Sequence, residues 1–273
     1  MRFKKVRAVY FSPTGTTKKA ALHLAAFLAK RLSVPYEAAS YTLPGERERG
    51  FDFSKDELVV WATPVYAGRI PNRTLEYVKT AIKGRGAYVV ALAVYGNRSF
   101  GDTLSEMCAV IKDGGCLPIA AIAAPARHAF SDTLAAGRPD ETDMEALERF
   151  AGMIALRLES GGDTVPAAVP GEERPKSYYT PLKEDGGPAR FLKAVPKVRE
   201  DMCTRCGVCE NVCPEGSVSM DAYPAFRGVC IKCMACVRAC PRGALYFDDA
   251  ELLSHIRMIE KNFSERKEAK LFI

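Results

Sequence analysis

Cys203-Thr-Arg-Cys206-Gly-Val-Cys209-Glu-Asn-Val-Cys213-Pro214 and Cys230-Ile-Lys-Cys233-Met-Ala-Cys236-Val-Arg-Ala-Cys240-Pro241 carry eight of the chain's ten cysteines. Both read C-x2-C-x2-C-x3-C-P, and every cysteine of the second lies 27 residues after its counterpart, as do Pro241 after Pro214 and Gly243 after Gly216. The shared interval marks a duplicated half. Three thiolates spaced this closely can curl round three corners of one iron–sulfur cubane while the fourth is directed across to a neighbour. Structural zinc sites usually pair two CxxC steps across a longer spacer and ask for neither a third step nor a following proline. A disulfide framework fits poorly, because the cysteines crowd one short segment and no secretion signal is visible.

The two runs resemble those of bacterial ferredoxins, in which the fourth cysteine of each run ligates the other cluster. That resemblance implies two [4Fe–4S] clusters. The first would be held by Cys203, Cys206, Cys209 and Cys240, the second by Cys230, Cys233, Cys236 and Cys213.

At 273 residues the chain has room for roughly two domains. Hydrophobic content of 48% and charged content of 26% are those of an ordinary globular protein. Met1-Arg-Phe-Lys-Lys-Val-Arg7 is followed by a strand-like run rather than an apolar signal core. The apolar runs Leu58–Ala62 and Ala87–Val94 fall far short of the ~20 residues that span a bilayer. A cytoplasmic protein with no membrane span is expected, where thiolates stay reduced. The net charge of +6 comes from scattered Lys and Arg with no basic, aromatic-interleaved stripe, so no nucleic-acid partner is expected.

Ahead of the cysteines, apolar runs alternate with helical patterns. Val6–Phe11 precedes Thr16–Leu32, Leu58–Thr63 precedes Asn72–Ile82, Ala87–Tyr95 precedes Gly101–Lys112, and Leu117–Ala124 precedes Asp140–Leu158. A weaker strand is expected near Pro35–Ala39. In the first helix Ala21, Leu24, Ala25, Leu28 and Leu32 share one face. Such alternation predicts a parallel sheet with helices on both faces, an α/β doubly wound fold of five strands. Trp61, mid-strand, is expected in the core, as are Cys108 and Cys116.

In such folds ligands bind beyond the carboxyl ends of the strands. The first of these loops is Ser12-Pro-Thr-Gly-Thr-Thr17, with hydroxyls at Ser12, Thr14, Thr16 and Thr17 and backbone amides at a helix start, suited to a phosphate. Its Ser12, Thr14, Gly15 and Thr17 resemble the flavodoxin phosphate loop, (S/T)-x-T-G-x-T, which implies FMN held by its phosphate. No G-x-x-x-x-G-K-[ST] run is present. Gly84-Arg-Gly86 precedes a strand and has Val89 where a dinucleotide fingerprint needs glycine, so it reads as a turn. Thr63-Pro-Val-Tyr-Ala-Gly68 and Tyr95-Gly-Asn-Arg98 look like the flavin-ring loops of flavodoxin-like proteins. The resemblance makes Tyr66 and Tyr95 stacking candidates, and Pro64, Gly68, Gly96, Asn97 and Arg98 backbone or polar contacts. A further loop, Ala124–Ser131, brings His128 to the same edge.

The expected layout is a flavodoxin-like domain over 1–160, a Pro/Gly-rich connector over 161–197, a small α+β 2[4Fe–4S] ferredoxin-like domain over 198–250, and a C-terminal helix and tail over 251–273. Ser177–Leu182 and Phe191–Val195 interrupt the connector with apolar residues able to pin the domains together. Leu252, Leu253, Ile256 and Ile259 are expected to cap the small domain. The whole chain resembles the flavodoxin–ferredoxin fusion proteins known as the EFR1 family. The expectation is an electron-transfer protein exchanging electrons among two clusters, FMN and an external redox protein. The alternatives are an FMN-dependent reductase of a quinone, flavin or other small acceptor, and a redox sensor whose clusters are structural.

Overall fold

Hydrophobic runs long enough to be buried on both faces form the central sheet of the structure, a computed structural model that describes residues 3–161 and 168–273. The first part contains β1 (Lys5–Tyr10), α1 (Thr16–Leu32), β2 (Tyr36–Ser40), β3 (Phe51–Phe53), β4 (Glu57–Pro64) and α2 (Asn72–Ala81). It continues through β5 (Ile82–Gly84), β6 (Tyr88–Tyr95), α3 (Thr103–Asp113), β7 (Leu117–Pro125) and α4 (Glu141–Glu159). Strands β2, β1, β4, β6 and β7 lie side by side in that order, all parallel. Counting only these five, the order is 2-1-3-4-5, the flavodoxin-like topology, whose strand order reverses beside the first strand.

Helices α1 and α4 cover one face, with Leu24, Leu28, Leu147, Phe150 and Ile154 in its core. Helices α2 and α3 cover the other, with Val78, Leu104, Met107 and Ile111 against Val9, Val59 and Trp61. A fully buried leucine such as Leu24 contributes about 1.5–3 kcal/mol. Trp61 is fully buried, and its indole donates to the Tyr41 hydroxyl at 2.9 Å, so no polar atom of that side chain is stranded. Cys108 and Cys116 are buried too, their thiols pushed up to about 11 by burial.

The small unit contains β8 (Lys197–Val198), α5 (Val208–Asn211), β9 (Val218–Met220), β10 (Pro224–Phe226), α6 (Ala235–Ala239) and β11 (Leu245–Tyr246). Its β9–β10 and β8–β11 ladders are antiparallel. The duplication is written in its backbone. Left-handed φ recurs at Arg205 and Lys232 (57° and 53°), at Gly207 and Met234 (74° and 65°), and at Gly216 and Gly243 (60° each). Each helix of the pair starts just after the second of these positions.

Two features depart from the sequence reading. The tail is not loose: after α7 (Ala250–Asn262) the chain forms β12 (Lys270–Phe272), which pairs antiparallel with β7 and makes the sheet six-stranded. Ile259 of helix α7, expected against the small unit, packs with Met258, with Leu134 of the first domain and with Leu182 of the connector. The connector residues 168–196 run as an ordered arm. Glu172 and Arg174 hold to Asp102 and Asp113 around α3, the Tyr179 amide donates to Ala67 O at 2.9 Å, and the Glu184 amide donates to Ser254 Oγ of α7 at 3.1 Å. Gly162, Asp163 and Pro166 of the expected connector lie outside the described residues.

Candidate cofactor sites

Helix α1 begins without a side-chain cap, its Gly15 holding φ at +88°, and its first turn carries no acidic residue. The amides of that turn have no intrahelical acceptor, and the helix dipole makes the end attractive to an anion. Ser12 shapes this loop from behind. Its amide donates to Thr42 Oγ1 and its own Oγ accepts from the Lys18 amide, both at 2.9 Å.

A cavity of ≈ 750 Å³ opens at the carboxyl edge of the sheet, in the size range of small-molecule sites. Thr14, Thr16 and Thr17 line one end; Pro64, Tyr66 and Gly68 after β4, and Tyr95, Gly96 and Arg98 after β6, line its body. The residues fit a flat aromatic ligand that carries a phosphate: hydroxyls and helix amides at one end, two tyrosines and a guanidinium along the rest. Three of the expected residues take other places. Ser12 and Gly15 shape the loop without lining the cavity. Asn97 is turned away and buried, its amide donating to the carbonyls of Phe263 and Glu265 at 2.7 and 2.8 Å, because the returning tail crosses behind this loop.

His128 also lines the cavity, and its Nδ1 accepts from the Phe130 amide at 3.2 Å. Burial, aided by the neighbouring His255, Arg98 and Arg238, pushes its pKa down to about 3. Phe130, Phe191 and His255 gather beside it with ring centroids 5.6–6.3 Å apart. Tyr178, Tyr179, Phe191, Lys193, Lys232 and His255 line the cavity yet are absent from the sequence-based candidates. The one signal that could have found the arm residues is the density of aromatics in an otherwise Pro/Gly-rich connector. Arg98 lies over the Tyr179 ring at 3.8 Å and Arg69 over Tyr178 at 4.3 Å, so two guanidiniums of the first domain dock the arm. Arg73, Arg98, Arg127, Lys193 and Lys232 line the cavity, and among the described residues no carboxylate does.

Gly228–Lys232 of the small unit, including Cys230, also line this cavity. Cys213, Cys230, Cys233 and Cys236 line a second, smaller cavity together. This quartet is the one the interleaved reading expects. Among the described residues no three His, Cys, Asp or Glu side chains close on a point as they would round a single ion. The Ser217 amide donates to Cys213 Sγ and the Ala244 amide to Cys240 Sγ, both at 3.3 Å and 27 residues apart. Burial raises the Cys233 and Cys236 thiols, the latter to about 12. Tyr66 stands between the two cavities: burial first, then Cys233, Glu215 and Cys230, raise its phenol well above the usual range.

Residues 202–245 match the 4Fe-4S dicluster domain family. Similar solved structures include a flavodoxin from the domain Archaea, 15% identical, covering 57% of this chain and 99% of that one with a TM-score of 0.37. The two-electron reduced flavodoxin of Megasphaera elsdenii is 17% identical over 54% of this chain and 98% of its own, with a TM-score of 0.36. Rubredoxin oxygen:oxidoreductase from Desulfovibrio gigas is 18% identical and covers 57% of this chain and 36% of its own, with a TM-score of 0.39. No curated protein matches the chain significantly. The strand order, not these scores, establishes the first domain as flavodoxin-like. Joined to the dicluster segment, it makes the chain a flavodoxin–ferredoxin fusion. Among the described residues no helix is long and apolar enough to cross a membrane.

Proposed function

We propose that the chain is an electron-transfer flavo-iron–sulfur protein. In this reading Cys203, Cys206, Cys209 and Cys240 hold one [4Fe–4S] cluster, and Cys230, Cys233, Cys236 and Cys213 the other. FMN binds with its phosphate at Thr14–Thr17 and its ring among Pro64, Tyr66, Gly68, Tyr95, Gly96 and Arg98. Bound there, the clusters would pass electrons singly and the flavin one or two, which joins one-electron carriers to either kind of acceptor. The carrying observation is that one cavity is lined both by the phosphate loop and by Cys230. The protein's own part is to fix these sites against each other. Arg238 of α6 donates to Ala129 O at 2.9 Å and Ser131 O at 2.7 Å, and Arg73 pairs with Glu215 at 3.0 Å.

Anaerobically purified protein should contain about eight iron, eight sulfide and one FMN per chain. Near-stoichiometric zinc without sulfide would remove the cluster assignment, and FAD in place of FMN would remove the phosphate-loop reading.

A second reading, an FMN-dependent reductase of a small anionic acceptor, is favoured by the cationic lining and by the arm aromatics that join it. Substrate-saturable turnover by the purified protein would select it over a carrier.

A further inference from the structure

The duplication gives every residue of one cysteine run a control 27 positions away, and the two runs have opposite surroundings. Thr204, Arg205 and Cys206 are exposed, whereas their counterparts Ile231, Lys232 and Cys233 are half-buried, buried and buried. Gly207 is matched by a buried Met234. The chemistry follows the burial. Ile231 packs against the first domain's core, while Lys232 folds back to donate to the carbonyls of Leu192 and Cys230. Arg205 instead extends over the Tyr223 ring at 4.7 Å and donates to its hydroxyl at 3.1 Å.

The same asymmetry holds at the other ends of the runs. Arg238 of the second run grips Ala129 and Ser131 of the first domain, where the first run has the exposed Asn211. The fourth cysteines complete the pattern crosswise. Cys213, which belongs with the inner quartet, is followed by a buried Pro214, whose carbonyl accepts from Arg47, and by Glu215, which pairs with Arg73. Cys240 is followed by Pro241 and Arg242, both exposed. The segments after Cys213 and Cys230 thus touch the flavodoxin-like domain through Pro214, Glu215 and Ile231, whereas the Cys203/206/209/240 set includes the surface loop.

We propose that the loop Thr204–Gly207, with the Arg205–Tyr223 pair, is the docking port for an external one-electron carrier protein, and that the Cys213/230/233/236 set is the inner relay toward the cavity. This rests on the electron-transfer reading above. Tunnelling falls steeply with distance, so a carrier gains most by approaching the cluster whose ligands reach the surface. Arg and Tyr are the residue types that most often anchor protein interfaces. One electron leaves the carrier and one arrives at the outer centre; no bond forms or breaks.

The test is stopped-flow reduction of the holoprotein by a reduced bacterial two-cluster ferredoxin, with dithionite as a small donor that needs no docking surface. Arg205→Glu should slow reduction by the ferredoxin about tenfold, by losing electrostatic and orientational steering. Dithionite rates should be unchanged, as should iron and sulfide content. Lys83→Glu makes the same charge change at an exposed site on β5 and should leave the ferredoxin rate unaltered. Should Arg205→Glu lose iron, Thr204→Glu provides the same readout. Equal slowing in Lys83→Glu, or no slowing in the port variants while the flavin still bleaches after the clusters, overturns the port alone. Clusters that take no electron in the unsubstituted protein overturn the electron-transfer reading and the port with it.

Discussion

A Cβ added to Gly96 would meet His128 Cδ2 at 2.4 Å and the His128 Cα at 2.9 Å, so this glycine is needed for the loops after β6 and β7 to close on each other. Gly96→Ala should therefore cost about 1–3 kcal/mol of stability, read from the urea midpoint, because the backbone contact cannot yield as a side-chain tip would. Gly15 differs: nothing lies within 4 Å of its Cβ position, and only its φ of +88° resists a side chain. His128 gives a pH signature. Its folded pKa is about 3, held down by burial, against an ordinary value of 6.5, so below pH 6.5 the unfolded chain takes up a proton that the folded chain refuses. Stability contributed at higher pH is then lost as pH falls from 6.5 toward 3, at up to roughly 1.4 kcal/mol per pH unit. Between pH 6.5 and 5, denaturation of His128→Gln should show a shallower loss than the unsubstituted protein, and parallel slopes would contradict the assignment. The spacing of the cysteines was legible because each C-x2-C-x2-C-x3-C-P run is continuous in sequence. The place of Asn97 was not, since its partners Phe263 and Glu265 are more than 160 residues away.

Strands β1, β4, β6 and β7 and helices α1 to α4 could be read from periodicity, because burial on both faces leaves unbroken apolar runs and one-sided burial leaves a 3.6-residue stripe, whereas the exposed edge strand β2 left only a weak signal. Strand β12 could not be read. Lys270-Leu-Phe272 is three residues long, begins with a charge, and gains its apolar neighbours only on pairing with Ala121–Ala123. Phe272 reaches Phe100 edge-on at 6.4 Å, so the strand also braces the loop before α3. What holds the approach to β12 is Asn97, together with Lys267, which donates to Arg98 O. Asn97→Ala should leave the carbonyls of Phe263 and Glu265 without these donors, at a cost of about 1–3 kcal/mol. Hydrogen exchange at the amides of Lys270–Phe272 should speed up while that of β1 and β4 stays slow. Unchanged protection of β12 would show that the strand needs no such anchor.

The structure places the two halves and the arm round one cavity. Composition exposed the arm as a connector and its aromatics as contacts, but nothing in a Pro/Gly-rich run encodes where it lies. Hence Tyr178, Tyr179, Phe191 and the α7 residue His255 were not legible as cavity walls. The contacts across the two halves are side chain to backbone as much as ion pair, with Arg238 the densest. Arg238→Ala should loosen the second run from the β7–α4 loop and slow electron passage between the halves without altering cofactor content. The central claim, that the inner cysteine set feeds the flavin across this cavity, is tested most directly by following flavin absorbance in a stopped-flow instrument. A low-potential protein donor would reduce the unsubstituted protein and Cys236→Ser in parallel. Rapid flavin bleaching following the clusters in the first, and its loss in the second with FMN still bound, is the predicted result; equal flavin reduction rates in the two proteins would contradict it.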